Sequence, residues 1–199
     1  ELIHLFKKNI LPNKILLSGQ NGIGKNLLAE HFINYIYSNN EDHKYNLYNF
    51  EINNLNRTNI LYKNNSHPNV FKILKKKDKK NIEISQIREM LQFQNKSSFD
   101  NNLRTIVIND TQYLNLNSSN ALLKSIEEPN DNLLFILINN NEINLHETIK
   151  SRCIEFKLIL NNEQKKMIVN NYFNNDIVDT LPPDLINFYY SPSFIISLI

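Results

Sequence analysis

The seven residues Gly19-Gln20-Asn21-Gly22-Ile23-Gly24-Lys25 hold all three glycines of a chain of 199 residues. The sequence is otherwise rich in Asn, Ile, Lys and Leu and poor in Gly, Ala and Pro. In such a background glycine persists best where any side chain would be sterically excluded. A glycine loop can turn successive backbone N–H groups onto one anion, using backbone angles that other residues adopt only at a cost. A helix starting directly after the loop would add the positive end of its dipole, and Lys25 would add a full charge. The chemistry suited to this spacing is the binding of a phosphate chain.

The stretch fits the P-loop template as far as Lys25 and departs from it at the next position. There the template has Ser or Thr, whose hydroxyl ligates magnesium, and this chain has Asn26. The second magnesium residue of a P-loop enzyme is an Asp at the end of a buried strand. The matching strand is "TIVIND", which carries Asn109 at that position and Asp110 after it. Two neutral amides at two metal-holding positions read as a phosphate cradle retained and hydrolysis weakened. ATP is the candidate ligand and its magnesium is in doubt. A register shifted by one residue would instead bring Asp110 to the metal, and that alternative stays open at this level.

The elements that must position these groups follow from hydrophobic periodicity. "LIHLFKKNIL" reads as a short amphipathic helix, and "KILLS" (14–18) as a buried strand leading into the glycine loop. A helix over 26–38 comes next, with Leu27, Leu28, Phe32, Ile33 and Ile36 in helical period. Residues 39–66 are polar and Asn-rich, with weak strand character at 47–52. Strands are expected at 69–74, 104–109, 133–138 and in "IEFKL"; helices at 84–94 and 118–129, the latter capped by Ser and ended by Pro129, with a helical turn at 146–153. Continuous apolar strands alternating with helices predict an α/β fold built on a parallel sheet covered on both faces. After residue 160 the strands stop, and "NEQKKMIVNNYF", "DLINFYY" and "SPSFIISLI" are helical pieces. The expected division is a core domain over 1–160 and a partial helical domain over 161–199, cut short by the chain end. Because the first residue is Glu1, a few residues are expected to precede it.

Composition narrows the function class. A net charge of +2 does not by itself announce a nucleic-acid binder. The lone Cys153 excludes an internal disulfide framework or a thiolate metal site and suits a reducing, cytoplasmic setting. No apolar run reaches the roughly eighteen residues of a membrane span. Cys153 reads as a small apolar residue, since no His is placed to activate it. The basic run Lys75 to Lys80 reads as a solvated hairpin tip, and the "EEP" glutamates as facing water.

"NALLKSIEEP" after "IVIND" and "TIKSRC" after "LLFILI" resemble the AAA+ subunits of DNA polymerase clamp loaders. "SHPNVFKI" and "IEISQIREM" narrow the likeness to the delta prime subunits of bacterial DNA polymerase III, and "SPSFIISL" is similar to that family's later "GSP" segment. The resemblance implies an AAA+ P-loop fold with a parallel five-stranded sheet, the start of a small helical lid, and a C-terminal collar for which this chain has no room. It implies nucleotide contacts from Gly19 through Asn26 and a degenerate metal strand at Asn109 and Asp110. Asn140 falls where AAA+ proteins place a polar sensor. Ser151-Arg152-Cys153 would present Arg152 in trans to ATP on a neighbouring subunit, where an arginine finger is worth ~10³–10⁵ in rate. The implied partners are the gamma/tau and delta subunits, the sliding clamp and primer-template DNA. Some relatives bind zinc through cysteines after the first core helix; this chain has none there, so no zinc is expected. His146 replaces the family's usual Leu-Pro as a loop residue. Two readings result, a scaffold that donates an arginine and turns over little ATP, and an active motor ATPase of the gamma/tau kind.

Overall fold

A computed structural model of the chain describes residues 1–95, 103–127, 132–174, 178, 181 and 190–199. Five strands form one sheet: β1 (Lys14–Gly19), β2 (Val70–Ile73), β3 (Arg104–Ile108), β4 (Leu133–Asn140) and β5 (Ile154–Lys157). Their order across the sheet is β2-β3-β4-β1-β5, and every pairing is parallel. The helices are α1 (Leu2–Lys7), α2 (Lys25–Tyr37), α3 (Arg57–Lys63), α4 (Ile84–Asn95), α5 (Leu116–Glu127), α6 (Glu147–Lys150), α7 (Asn162–Phe173) and α8 (Pro192–Leu198).

Because successive strand residues face opposite sides, each central strand feeds two cores. Leu16, Ile106, Ile108, Phe135 and Leu137 point to one side, against Ile87 and Met90 of α4 and Leu122 and Ile126 of α5. Ile15, Leu17, Val107, Ile136 and Ile138 point to the other, against Ala29, Phe32 and Ile33 of α2. Burial of each such side chain is worth about 1.5–3 kcal/mol. This two-sided burial explains why the strands read as unbroken apolar runs. A third cluster of Val169, Val178 and Ile195 joins α7 to α8.

The expected α/β sheet is present, and several details differ from expectation. No strand forms at 47–52, where only an isolated antiparallel bridge joins Asn46 and Glu51. The same polar stretch contains α3, which its composition did not reveal. That helix is held by caps rather than by a long apolar face: the Asn56 side chain accepts from Asn59 N at 2.7 Å, and Glu41 accepts from Thr58 Oγ1 at 2.6 Å. Helix α5 begins before Ser118, with the Asn115 side chain accepting from Ser118 N at 2.9 Å; Ser118 itself is buried and donates to the Ile82 carbonyl. Pro129 and most of "DLINFYY" lie outside the described residues. The basic run is not a hairpin tip. It is part of the connection from β2 to α4, a crossover that parallel neighbours require.

The fold makes a stability prediction. Phe135 is fully buried in the middle of β4, so Phe135→Ala should lower unfolding free energy by about 3–5 kcal/mol. Phe50→Ala, at a side chain 64% exposed, should change it by less than about 0.5 kcal/mol. Urea unfolding followed by circular dichroism measures both.

Candidate functional site

Parallel pairing brings the C-terminal ends of all five strands to one edge of the sheet. Gly19, the last residue of β1, lies in register with Asn140, the last residue of β4. From Gly19 the chain makes its glycine turn and enters α2 at Gly24, the helix N-cap, whose φ of 102° lies in the left-handed region that disfavours a side chain. Gly22, at φ 76°, lies in the same region and is held for a second reason as well. A Cβ there would stand 2.5 Å from Ser191 Oγ and 2.8 Å from Ser193 Cβ, so α8 packs against the loop where only a hydrogen fits. Ser193 N also donates to the Gly22 carbonyl at 3.3 Å.

Lys25, at the first turn of α2, is only 3% exposed. Its ammonium donates to the Gly19 carbonyl at 2.9 Å and to the Gln20 carbonyl at 2.6 Å. Burial pushes its pKa down to about 8, against the pull of the nearby Asp110 and Glu142 carboxylates. Lys25 therefore closes the loop on itself, and an incoming phosphate would take over those donors. A cleft of about 520 Å³ opens in front of it, lined by Gly22, Gly24, Asn26, Lys75, Asp110 and Asn140 among others. Of the residues singled out from the sequence, Asn21, Gly22, Gly24, Lys25, Asn26, Asp110 and Asn140 thus line one cleft.

Asn109 holds the strand-end position, its N–H continuing the ladder to the Ile73 carbonyl at 3.0 Å. Its side chain is 7% exposed, and Oδ1 has no hydrogen-bond partner among the described residues. Asp110, which follows it, has a left-handed backbone with φ 55°. Its Oδ1 accepts from Asn140 Nδ2 at 2.5 Å and from Gln112 Nε2 at 3.4 Å, and the Asn140 N–H donates to Gln112 Oε1 at 3.2 Å. Asn140 is thereby tied to the acidic residue of the cleft. The glycine cradle and Lys25 fit a phosphate chain. Magnesium prefers carboxylate and phosphate oxygens in octahedral array, and amides at the two metal positions, Asn26 and Asn109, with the Asp110 carboxylate already engaged by Asn140 and Gln112, fit it poorly. Among the described residues no three His, Cys, Asp or Glu side chains are grouped as a metal site.

Arg152 lies just after α6 and does not join the cleft. Its guanidinium is 38% exposed, donating through Nη2 to Glu127 Oε1 at 2.7 Å and through Nη1 to the Thr148 carbonyl at 2.9 Å. Glu127, read from sequence as simply facing water, is half-exposed and holds this arginine. Cys153 is partly buried against the core, and burial pushes its thiol up to about 11. Sequence reasoning missed Glu142, Tyr113 and Ser193 as cleft residues. It also missed Lys75 there, having read it as one lysine of a solvated run.

Residues 1–162 match the family model described as DNA polymerase III, delta subunit. The chain belongs to this family. It is 31% identical over 90 residues to the delta' subunit of DNA polymerase III from Pseudomonas aeruginosa, a match covering 45% of this chain and 27% of that protein. It is 33% identical over 82 residues to a DNA polymerase III gamma subunit from Buchnera aphidicola, covering 41% of this chain and 23% of the relative. The aligned stretches thus span about a quarter of those relatives' length. A gamma subunit-related protein from Thermotoga maritima has the same fold, with a TM-score of 0.54 at 17% identity, covering 86% of this chain and 50% of that one. Among the described residues no helix is long and apolar enough to cross a membrane.

The pKa of Lys25 supplies a pH test. A lysine that titrates near 8 is protonated below that pH and loses its charge above it. Binding of inorganic triphosphate should therefore weaken as pH rises through 8 to 9, approaching tenfold per unit. In Lys25→Met the binding should be weak and without that step. Isothermal titration calorimetry across pH 6.5 to 9.5 gives the profile.

Proposed function

We propose that this chain is the AAA+ portion of a delta prime-type subunit of a DNA polymerase III clamp loader, serving in the cytoplasm to load the sliding clamp onto primer-template DNA. In this reading it acts as a scaffold and arginine donor beside gamma/tau and delta subunits and turns over little ATP. The observation that carries it is a glycine loop with Lys25 at P-loop spacing, accompanied by neutral Asn26 and Asn109 at the two positions where a metal would be held. Phosphates would lie along the N–H groups of the loop and against Lys25. The base would fit the apolar pocket beside Gly24 that Leu27, Leu28, Phe32 and Phe156 line. The helices after residue 160 would act as a lid, since α8 already rests on Gly22 through Ser191 and Ser193.

Arg152 suits the donor role. It stays charged at every working pH, offers a planar fork, and is tethered by a surface ion pair worth about 0–1 kcal/mol and one exposed hydrogen bond to the Thr148 carbonyl. A γ-phosphate on a neighbouring subunit would outbid Glu127 for it. Nothing in this step requires a metal or a base in this chain.

The second reading is a motor ATPase. It is favoured by the gamma relatives, which align at an identity similar to that of the delta' relative, and by Asp110, which lines the cleft.

ATP hydrolysis measured with and without gamma/tau subunits and clamp separates the two. The scaffold reading expects negligible magnesium-dependent turnover by the chain alone and stimulation of the motor subunits in the complex. Arg152→Ala should leave assembly intact on gel filtration and lower the ATPase rate of the complex at least tenfold. Vigorous turnover by the isolated chain would overturn the scaffold reading, and loss of assembly would make Arg152 a structural residue.

A further inference from the structure

The phosphate cleft carries a second lysine that the loop motif does not include. Lys75 follows β2 at the same sheet edge as the glycine loop and lines the same cleft as Lys25, Asn26 and Asp110. Its Nζ lies 5.0 Å from the centroid of the Tyr113 ring and donates to the Lys79 carbonyl at 3.1 Å. Two of its neighbours in the basic run are spoken for: Lys76 and Lys79 both pair with Glu83, at 2.8 and 3.3 Å. Among the described residues Lys75 has no ion-pair partner. The holds on it are weak, a cation–π contact worth about 0.5–1 kcal/mol and one exposed hydrogen bond.

Charge balance shows what such a cation can do. The cleft holds two cations, Lys25 and Lys75, and two carboxylates, Asp110 and Glu142. A nucleoside triphosphate adds three to four negative charges, which P-loop proteins ordinarily offset with magnesium. Here the metal positions are amides. A flexible ammonium at the cleft wall can meet phosphate oxygens as a point charge.

Building on the nucleotide reading above, we propose that Lys75 is a second phosphate-binding cation of this cleft and replaces the divalent ion, so that the protein binds a nucleoside triphosphate without metal. The phosphate chain would be bracketed by Lys25 from the loop and by Lys75 from the β2–α4 connection. No bond is made or broken; the effect is on binding alone.

Isothermal titration calorimetry on the full chain, with ATP, inorganic triphosphate or adenosine as titrant, in EDTA and in magnesium, tests this. The wild-type protein should bind ATP in EDTA within about threefold of its affinity in magnesium. Lys75→Ala should weaken metal-free binding of ATP and of inorganic triphosphate about tenfold, leave adenosine unchanged, and keep the wild-type melting temperature. Lys75→Arg should restore most of the affinity. The inference is overturned if ATP binds only in magnesium, or if Lys75→Ala binds like wild type while Lys25→Ala does not; in either case the nucleotide reading survives. If neither ATP nor triphosphate binds wild-type protein under any condition, the nucleotide reading fails and takes this inference with it.

Discussion

The in-register parallel pairing of β1 with β4 is the constraint on which the candidate site depends. It places the end of β1 at Gly19 beside the end of β4 at Asn140, with β3 delivering Asn109 and Asp110 one strand further on. In a parallel sheet every strand must return by a crossover, so all the strand-to-helix turns accumulate at one edge. That edge becomes polar and open because no strand continues there to pair its backbone. A slip of one residue between β1 and β4 would invert the faces of the strands and bury the wrong set in each core. The continuous apolar faces of β3 and β4, filled by α2 on one side and α4 with α5 on the other, make such a slip expensive. The chemistry at the edge is therefore positioned by the core beneath it.

Electrostatics then decide what that edge can hold. Lys25 is desolvated enough to titrate well below an ordinary lysine, yet two backbone carbonyls satisfy its ammonium. Such an arrangement keeps an unliganded cation buried at tolerable cost. Around it, amides replace the groups that would bring in a divalent ion, and the one acidic side chain from β3's end is engaged by Asn140 and Gln112. Arg152 has the complementary character. It lies away from the cleft, partly exposed, and its tie to Glu127 is of a kind that solvent and salt weaken readily.

The contact of α8 with the glycine loop links the last described helix to the site. Ser191 and Ser193 close over Gly22, where a single methyl group would collide with them. The two small clusters of residues are far apart in sequence, and each has a composition that suits the other. Small side chains on the helix meet the absence of one on the loop, so the helix can approach the backbone closely.

Much of this was legible in the residues. The glycine spacing, the lysine after it and the apolar strands on either side marked a strand, a glycine turn and a helix on a parallel sheet, because left-handed backbone angles and two-sided burial leave strong local marks. Asn26 and Asn109 could be read as departures for the same reason, their places being set by short local motifs. Helix α3 was not legible, since seven residues capped by Asn56 and Glu41 carry too short a period to stand out from an Asn-rich stretch. The strand expected at 47–52 failed because a few β-prone residues without a neighbouring strand form only an isolated bridge. The pairing of Arg152 with Glu127, the seating of Ser191 on Gly22 and the sharing of one cleft by Lys75 and Lys25 were decided by tertiary structure alone. These arrangements involve residues distant along the chain, which only the crossovers of the folded sheet bring to the same place.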